Sequence, residues 1–573
     1  MNMAAAIQNP LTLPTLLDPL SWQLPGWNEP LTSHELESHP DDSTLDKLDS
    51  SLALLSRYRN SLRPFNRLSS DILVLIFSEL VAGHADPYDV KFGSYPWMGV
   101  AQVCHFWRQV ALTTPILWTH LSTRYCTAAL ACIERSAEAA LSLYICESSK
   151  DEKISQVLSA VQPHIARLRH LYVPSNMLKD DNDHIHQVLQ PLVNSTAPAL
   201  ETFETIKIRA NAGWIPMPAL FTGSTPSLTR LKVHFMLPQL RSVTFGKLQV
   251  LSFTGRKHTP ITLPASELLD ILEACPLLQS LKTEKVNFTP ARDNESRKIP
   301  LDHLQVLQLG RTKASAVADI MKRLIIPGCA IRLKVHFDRY EDNKFYMGIP
   351  LPHELELNHP LRDIRKFYVQ FMNGYEGVEI FGSTAHHPFH IHGFVEQDTL
   401  SNLGDMDTIA GTVFQSIIKA FDLEAVEDFA MTEYRNNYRW TGLNKKNWMD
   451  TFRRMPKLKV FRLTSDGSYD EGYSRAILAA LSERDERTGN LFCPQLDAID
   501  VNGDKTWSSL QCYIIAKDRL ENGHPLKRVS MRLGHYASFS DSADTDLPRL
   551  REYVEQVDLE PQDIELPPFP KSP

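Results

Sequence analysis

Apolar residues follow helical spacings in the early part of the chain and a different, recurring pattern further on. From Asp42, Leu45, Leu48, Leu52, Leu55 and Leu62 fall on three- and four-residue steps with Ser43 placed to cap them, which predicts a helix. The pattern spans under three heptads and Arg59 interrupts it, so packing on a neighbouring module is expected rather than a coiled coil. A second helix starts where Ser69 or Ser70 can cap, with Ile72, Leu73, Ile76, Phe77 and Leu80 along one stripe. Val100, Val103, Cys104, Trp107, Val110 and Ala111 make a further stripe, ended by Pro115 just before Trp118. A unit of roughly fifty residues cannot bury all of this surface by itself, which points to helix-in-groove contact with a partner.

After Leu121 the signal becomes an apolar triplet at offsets 0, 3 and 5. It occurs at Leu168/Leu171/Val173, Leu228/Leu231/Val233, Leu248/Leu251/Phe253, Leu304/Leu307/Leu309, Leu458/Phe461/Leu463, Leu496/Ile499/Val501 and Leu526/Val529/Met531. Weaker copies stand at Leu200/Phe203, Leu278/Leu281 and Ile364/Phe367/Val369. Each triplet predicts a short strand with its turn, and stretches such as 265–274 and 314–325 carry helical spacing between them. Successive starts at 168, 200, 228, 248, 278 and 304 bracket the leucine-rich-repeat period of about 20–29 residues. Units of this kind bury their apolar faces only by stacking, so the expected fold class is α/β: a small all-helical module, then an irregular leucine-rich-repeat solenoid with parallel strands.

The organisation expected is an irregular Pro-rich arm over 1–40, a leading helix over 41–63 and the helical module over 64–121. The repeat domain follows over 122–550, and an acidic, Pro-bearing tail over 551–573. Triplets nearly vanish between 341 and 444, which predicts an insertion there.

Composition narrows the function. With 60 Lys and Arg against 68 Asp and Glu, the formal net charge is −8, without the basic excess of a nucleic-acid binder. The 8 cysteines form no Cys-x-x-Cys pair and read as reduced, mostly buried thiols. The first residues carry no basic signal region, and no apolar run approaches the ~20 residues of a membrane helix, so a cytoplasmic or nuclear location is expected. Arg57, Arg59, Arg63 and Arg67 read as a solvated basic face.

The succession Pro64-Phe65-Asn66-Arg67-Leu68-Ser69-Ser70-Asp71-Ile72-Leu73, then Val103-Cys104-His105-Phe106-Trp107-Arg108-Gln109-Val110-Ala111, then Pro115-Ile116-Leu117-Trp118 resembles the F-box. The likeness is to the F-box-like, leucine-rich-repeat proteins of mushroom-forming (basidiomycete) fungi, and it covers about a tenth of the chain. Three departures stand out: Ser69 where the family usually has Pro, Asp71 for Glu, and a longer loop from Gly83 to Gly99. The resemblance implies a non-catalytic substrate-recognition subunit of a cullin-RING (SCF-type) ubiquitin ligase, with no cofactor. Its F-box would bind a Skp-family adaptor and its repeats a target protein. The docking unit so implied comprises Pro64, Phe65, Leu68, Ile72, Leu73, Ile76, Phe77, Leu80, Val103, Cys104, Trp107, Val110, Pro115 and Trp118, some filling its core and others meeting the adaptor. Its ridge is expected at Ile76, Phe77 and Trp107, and Leu73→Asp is the change expected to abolish the interface. The rival reading is an interaction scaffold whose F-box is degenerate.

His386-His387-Pro388-Phe389-His390-Ile391-His392-Gly393-Phe394 resembles the copper segment of multicopper oxidases. In a strand, His390 and His392 would share a face. The further His-x-His pairs and the His-flanked Cys that such oxidases need are missing, with His184/His186 the one other pair, so no copper enzyme is expected. No phosphate-binding loop, zinc-protease helix, nucleophile elbow or dinucleotide turn is present either.

Overall fold

The computed structural model describes residues 42–82, 96–146, 151–174, 192, 195–206, 215–216, 225–234, 236–237, 245–255, 261–289, 297–326, 328–336, 338–339, 345–346, 361–371, 377–385, 387–394, 406–433, 444–465, 471–502, 507–532 and 548–558. The Pro-rich arm, most of the loop from Gly83 to Gly99, His184, His186, His386 and the tail beyond Asp558 lie outside the described residues. The chain divides into two units, Met1–Met177 with Ile185–Ala197, and Leu178–His184 with Pro198–Pro573.

The first unit opens with helices α1 (Asp42–Ser61) and α2 (Ser70–Ala82), joined by a 3-10 turn at Pro64–Arg67. A 3-10 segment, Pro96–Gln102, leads to α3 (His105–Thr113), and another, Pro115–Trp118, follows it. The stripe expected from Val100 to Ala111 is therefore broken. Cys104 is extended, and its Sγ accepts from the Trp107 N–H at 3.4 Å, so the helix starts at His105. Helix α1 begins at Asp42, which puts Ser43 inside the helix and not at its cap. Beyond lie β1 (His120–Ser122), α4 (Cys126–Arg135), β2 (Leu141–Tyr144), α5 (Asp151–Val161) and β3 (Leu168–Pro174), with β1, β2 and β3 paired in parallel. The first triplet thus belongs to the same unit as the helical module.

The second unit is α/β with a mostly parallel sheet. Its strands and helices run β4 (Thr202–Ile206), β5 (Arg230–His234), β6 (Val250–Thr254), α6 (Ala265–Glu273), β7 (Ser280–Glu284), β8 (Val306–Lys313), α7 (Ala314–Arg323) and β9 (Ala330–His336). A meander follows, β10 (Lys366–Phe371), β11 (Val378–Ser383) and β12 (Pro388–Phe394). The remainder is α8 (Met406–Ala420), β13 (Asp428–Glu433), α9 (Lys445–Arg453), β14 (Val460–Ser465), α10 (Glu471–Leu481), β15 (Ala498–Asn502), α11 (Trp507–Glu521), β16 (Arg528–Arg532) and β17 (Gln556–Asp558).

Pairing is sequential from β4 to β9 and from β13 to β17. Between them the order is β9, β12, β11, β10, β13, with β11 alone antiparallel to its neighbours. Although its short strand Phe345–Tyr346 pairs apart with Asp338–Arg339, the segment expected as an insertion is threaded into the sheet through β10 to β13. Gly382 on β11 permits this: a Cβ there would run into the Phe389 ring and sit 2.5 Å from the Lys366 carbonyl oxygen.

The triplets share a physical meaning. In most of them the first residue closes a turn by a backbone bond three residues back, as in Leu228 to Thr225 (3.1 Å), Leu248 to Phe245 (2.9 Å), Leu304 to Leu301 (3.0 Å) and Leu496 to Cys493 (3.0 Å). The other two point inward from the strand, and the triplet residues are buried throughout. Helices cover that inward side through residues such as Leu268 and Leu272 of α6 and Val317 and Met321 of α7. Further along, Phe452 of α9 meets Phe461 edge-on at 5.6 Å, and Phe461 lies 5.9 Å from Phe429. All eight cysteines are free thiols, and Cys132, Cys275, Cys329, Cys493 and Cys512 are buried.

Phe461→Ala should open a cavity that these rings cannot collapse into, lowering unfolding free energy by about 3–5 kcal/mol. Urea titration of the full chain should show a lower midpoint with an unchanged slope.

Candidate functional site

Helix α2 is apolar nearly all round, and its unit covers only one side of it. Leu73, Phe77 and Val81, one turn apart, are buried. At 100° per residue, Ile72, Leu75, Ile76 and Leu80 occupy the adjoining arc and are exposed, Leu75 by 67% and Ile76 by 40%. Ser69 stands at the cap: its carbonyl accepts from the Leu73 N–H at 3.1 Å, and its Oγ lies 3.5 Å from the Ile72 nitrogen.

The expected ridge at Ile76, Phe77 and Trp107 is divided. Phe77 has no exposed surface and packs on the half-buried Trp107 at 5.3 Å between ring centroids, so only Ile76 of the three is outward. Leu73, Val110 and Trp118 are core residues too. The Trp118 Nε1 donates to the Ala111 carbonyl at 2.7 Å, while Trp97 and the Arg135 guanidinium cover its ring. Leu68 and Cys104 are half-buried, Pro64 and Pro115 exposed. Phe65 (73%), Val103 and Ile116 add exposed apolar surface to the unit. Leu45, Leu48 and Leu52 of α1 are exposed as well, so that stripe is not covered by its own module.

Sequence reasoning passed over Leu75 and the buried Trp97, and read Ile116 in the Pro115–Trp118 segment without placing it in the docking unit. The signal for Leu75 was available, because a single stripe cannot account for a helix apolar on adjoining faces. Beside α2, the chain ends of α1, α2 and α3 line a half-open recess of about 490 Å³, bordered among others by Arg67, Leu68, Ser69, Cys104 and Phe106. Together these are an apolar face with a recess next to it, both left exposed by the unit that carries them. Solvated surfaces of this kind mark contact sites.

The histidine segment forms β12. His390 and His392 do share a face, flanked by Glu379 of β11, whose Oε1 lies 3.7 Å from each ring and beyond hydrogen-bond reach. His390 stacks on Phe381 at 4.4 Å. Burial, then repulsion from Arg332, His392 and Lys334, brings its pKa down to about 4, while burial pushes the Glu379 carboxyl up. Among the described residues no group of three or more His, Cys, Asp or Glu is placed to hold a metal ion. Nor, among them, is any helix long and apolar enough to cross a membrane.

The same face carries an ion-pair chain farther along the sheet. Arg462 bridges Asp428 and Asp500, and Arg528 reaches the Asp500 carboxylate at 3.1 Å. The Tyr368 hydroxyl donates to Asp428 at 3.1 Å, and burial beside that carboxylate raises its pKa. This closed network is structural in character.

Compared with known proteins, the chain matches no protein-family model and no curated sequence.

His390 makes stability pH-dependent. In the unfolded chain it takes up its proton near pH 6.5, in the fold only near 4. Stability should therefore be full above pH 6.5 and fall as pH drops from 6.5 towards 4, by about 1–2 kcal/mol for this group. Urea midpoints measured across that range should depend less steeply on pH in His390→Gln, the remaining slope coming from groups such as His120, which burial also brings down to about 4.

Proposed function

We propose that this chain is a substrate-recognition subunit of a cullin-RING (SCF-type) ubiquitin ligase. In this reading the helical module around α2 and α3 is an F-box that docks a Skp-family adaptor, and the second unit is a leucine-rich-repeat solenoid that holds a target protein. The observation that carries it is the exposed arc Ile72, Leu75, Ile76 and Leu80 on a helix whose opposite side is core. Water contact along that arc is costly, and full burial of each such side chain is worth about 1.5–3 kcal/mol. A partner helix laid into it relieves the cost. The resemblance of the Pro64–Leu73 and Val103–Ala111 segments to the F-box supports the choice of partner.

For the second unit, support comes from the parallel ladder and the buried triplet repeated along it. Such an array supplies a surface, and the receptor acts by effective concentration: it holds a target lysine near a ubiquitin-charged enzyme supplied by its partners. The scaffold reading shares the repeats and differs in leaving α2 without an adaptor.

Leu73 is fully buried, so Leu73→Asp tests folding and not docking. The informative variants are Leu75→Asp and Ile76→Asp, which place a charge on the exposed arc. Co-purification with a Skp-family adaptor should be lost in both, with circular dichroism and thermal midpoint unchanged. Adaptor binding that survives them, or that the unaltered chain never shows, would sink the receptor reading in favour of the scaffold.

A further inference from the structure

Strand register places a row of cations on the face of the second unit's sheet opposite the triplets. Pairing aligns Glu204, Lys232, Ser252, Lys282, Gln308, Arg332 and His390 across β4 to β9 and β12. Each alternates with buried neighbours, as Lys232 does between Leu231 and Val233, so the row lies on the side that the triplets leave. Arg230 and Lys334, two residues away on their strands, share that face, and all five cations are half-buried. Glu204, Glu284 and Glu379 share the face with them, Glu284 standing two residues beyond Lys282 on β7. Glu204 lies 3.5 Å from Lys232, Glu284 3.6 Å from Lys285, and Glu379 beyond His392. Lys282 feels the crowding: burial, then repulsion from Lys232, Arg332 and Arg230, holds its ammonium below the ordinary lysine range.

We infer that this face binds an acidic, carboxylate-rich segment of the target protein, with Lys232, Lys282 and Arg332 as the central contacts and Arg230 and Lys334 beside them. The inference rests on the receptor reading for the owner of the segment. Charge complementarity selects the ligand. The chain as a whole carries −8, so acidic segments are repelled in general and a local cationic row is where one can settle. Spacing selects the form of the charge. The three central cations sit on alternate strands, roughly 9–10 Å apart at about 4.8 Å per strand. A chain in the polyproline II conformation, with three residues per turn and about 3.1 Å of rise per residue, returns a side chain to the same face over that distance every third residue. A distributed row of this kind fits carboxylates in series better than one concentrated phosphate. Ser252 and Gln308, between the cations, offer hydrogen bonds to the backbone of such a segment.

The test is fluorescence anisotropy on the full chain, with a labelled peptide bearing Glu at every third position in a Gly-Ser background. Saturable binding that weakens with salt is expected. Lys282→Glu and Arg332→Glu should each weaken it about tenfold or more, and the milder Lys282→Gln less, with thermal midpoints confirming the fold. Lys457→Glu, exposed at the turn before β14, should leave it unchanged. The inference fails if the peptide does not bind or if Lys457→Glu weakens binding equally. It fails too if a phosphoserine peptide or a single-stranded oligonucleotide binds where the Glu peptide does not. No adaptor enters this titration. Loss of peptide binding with adaptor docking intact would therefore sink this inference alone, and the reverse would sink the receptor reading alone.

Discussion

Parallel strands satisfy their backbone groups only through their neighbours, and in the second unit that constraint governs everything else. No strand of the row from β4 to β17 could stand alone: each is short and needs a partner on its flank, and those that carry a triplet are buried on that side. The turn closed by the first triplet residue aligns one strand with the next. A slip of one residue would carry Leu281 and Thr283 to the open face and Lys282 into the core. Register is therefore held by apolar burial, and the pattern of charges on the other face is a consequence of it.

The first unit is governed by a different limit. Its short helices seal a core around Leu73, Phe77, Val110 and Trp118, and they leave apolar side chains over on the adjoining arc of α2. A larger module would fold a further helix across that arc. Here the surplus remains on the surface, which makes the unit a candidate for contact with a second polypeptide and, at the same time, vulnerable to aggregation when unpartnered. The two units thus offer contrasting chemistry, an apolar helix face on one and a charged sheet face on the other.

Much of this was legible in the chain, because periodicity reports burial directly. The triplet at offsets 0, 3 and 5 marked turn and strand wherever it occurred, including weak copies such as Ile364/Phe367/Val369. The lapse of the triplet between 341 and 444 predicts an insertion, whereas the meander β10 to β12 enters the sheet in reversed order and the ladder continues through it. In the helical module the stripe through Phe77 and Trp107 was visible, but which side of it faced water was not.

Residue order determined the elements, the inward residues of each strand, and the excess of apolar surface on the helices before β1, because these depend on spacing within one segment. Tertiary structure decided which arc of α2 stays exposed, that His390 comes to lie beside Arg332, and that Lys232, Lys282 and Arg332 line up. Those three cations are fifty residues apart in sequence, and nothing local relates them. Only hydrogen-bonded register across intervening strands brings them into one row, where their charges add.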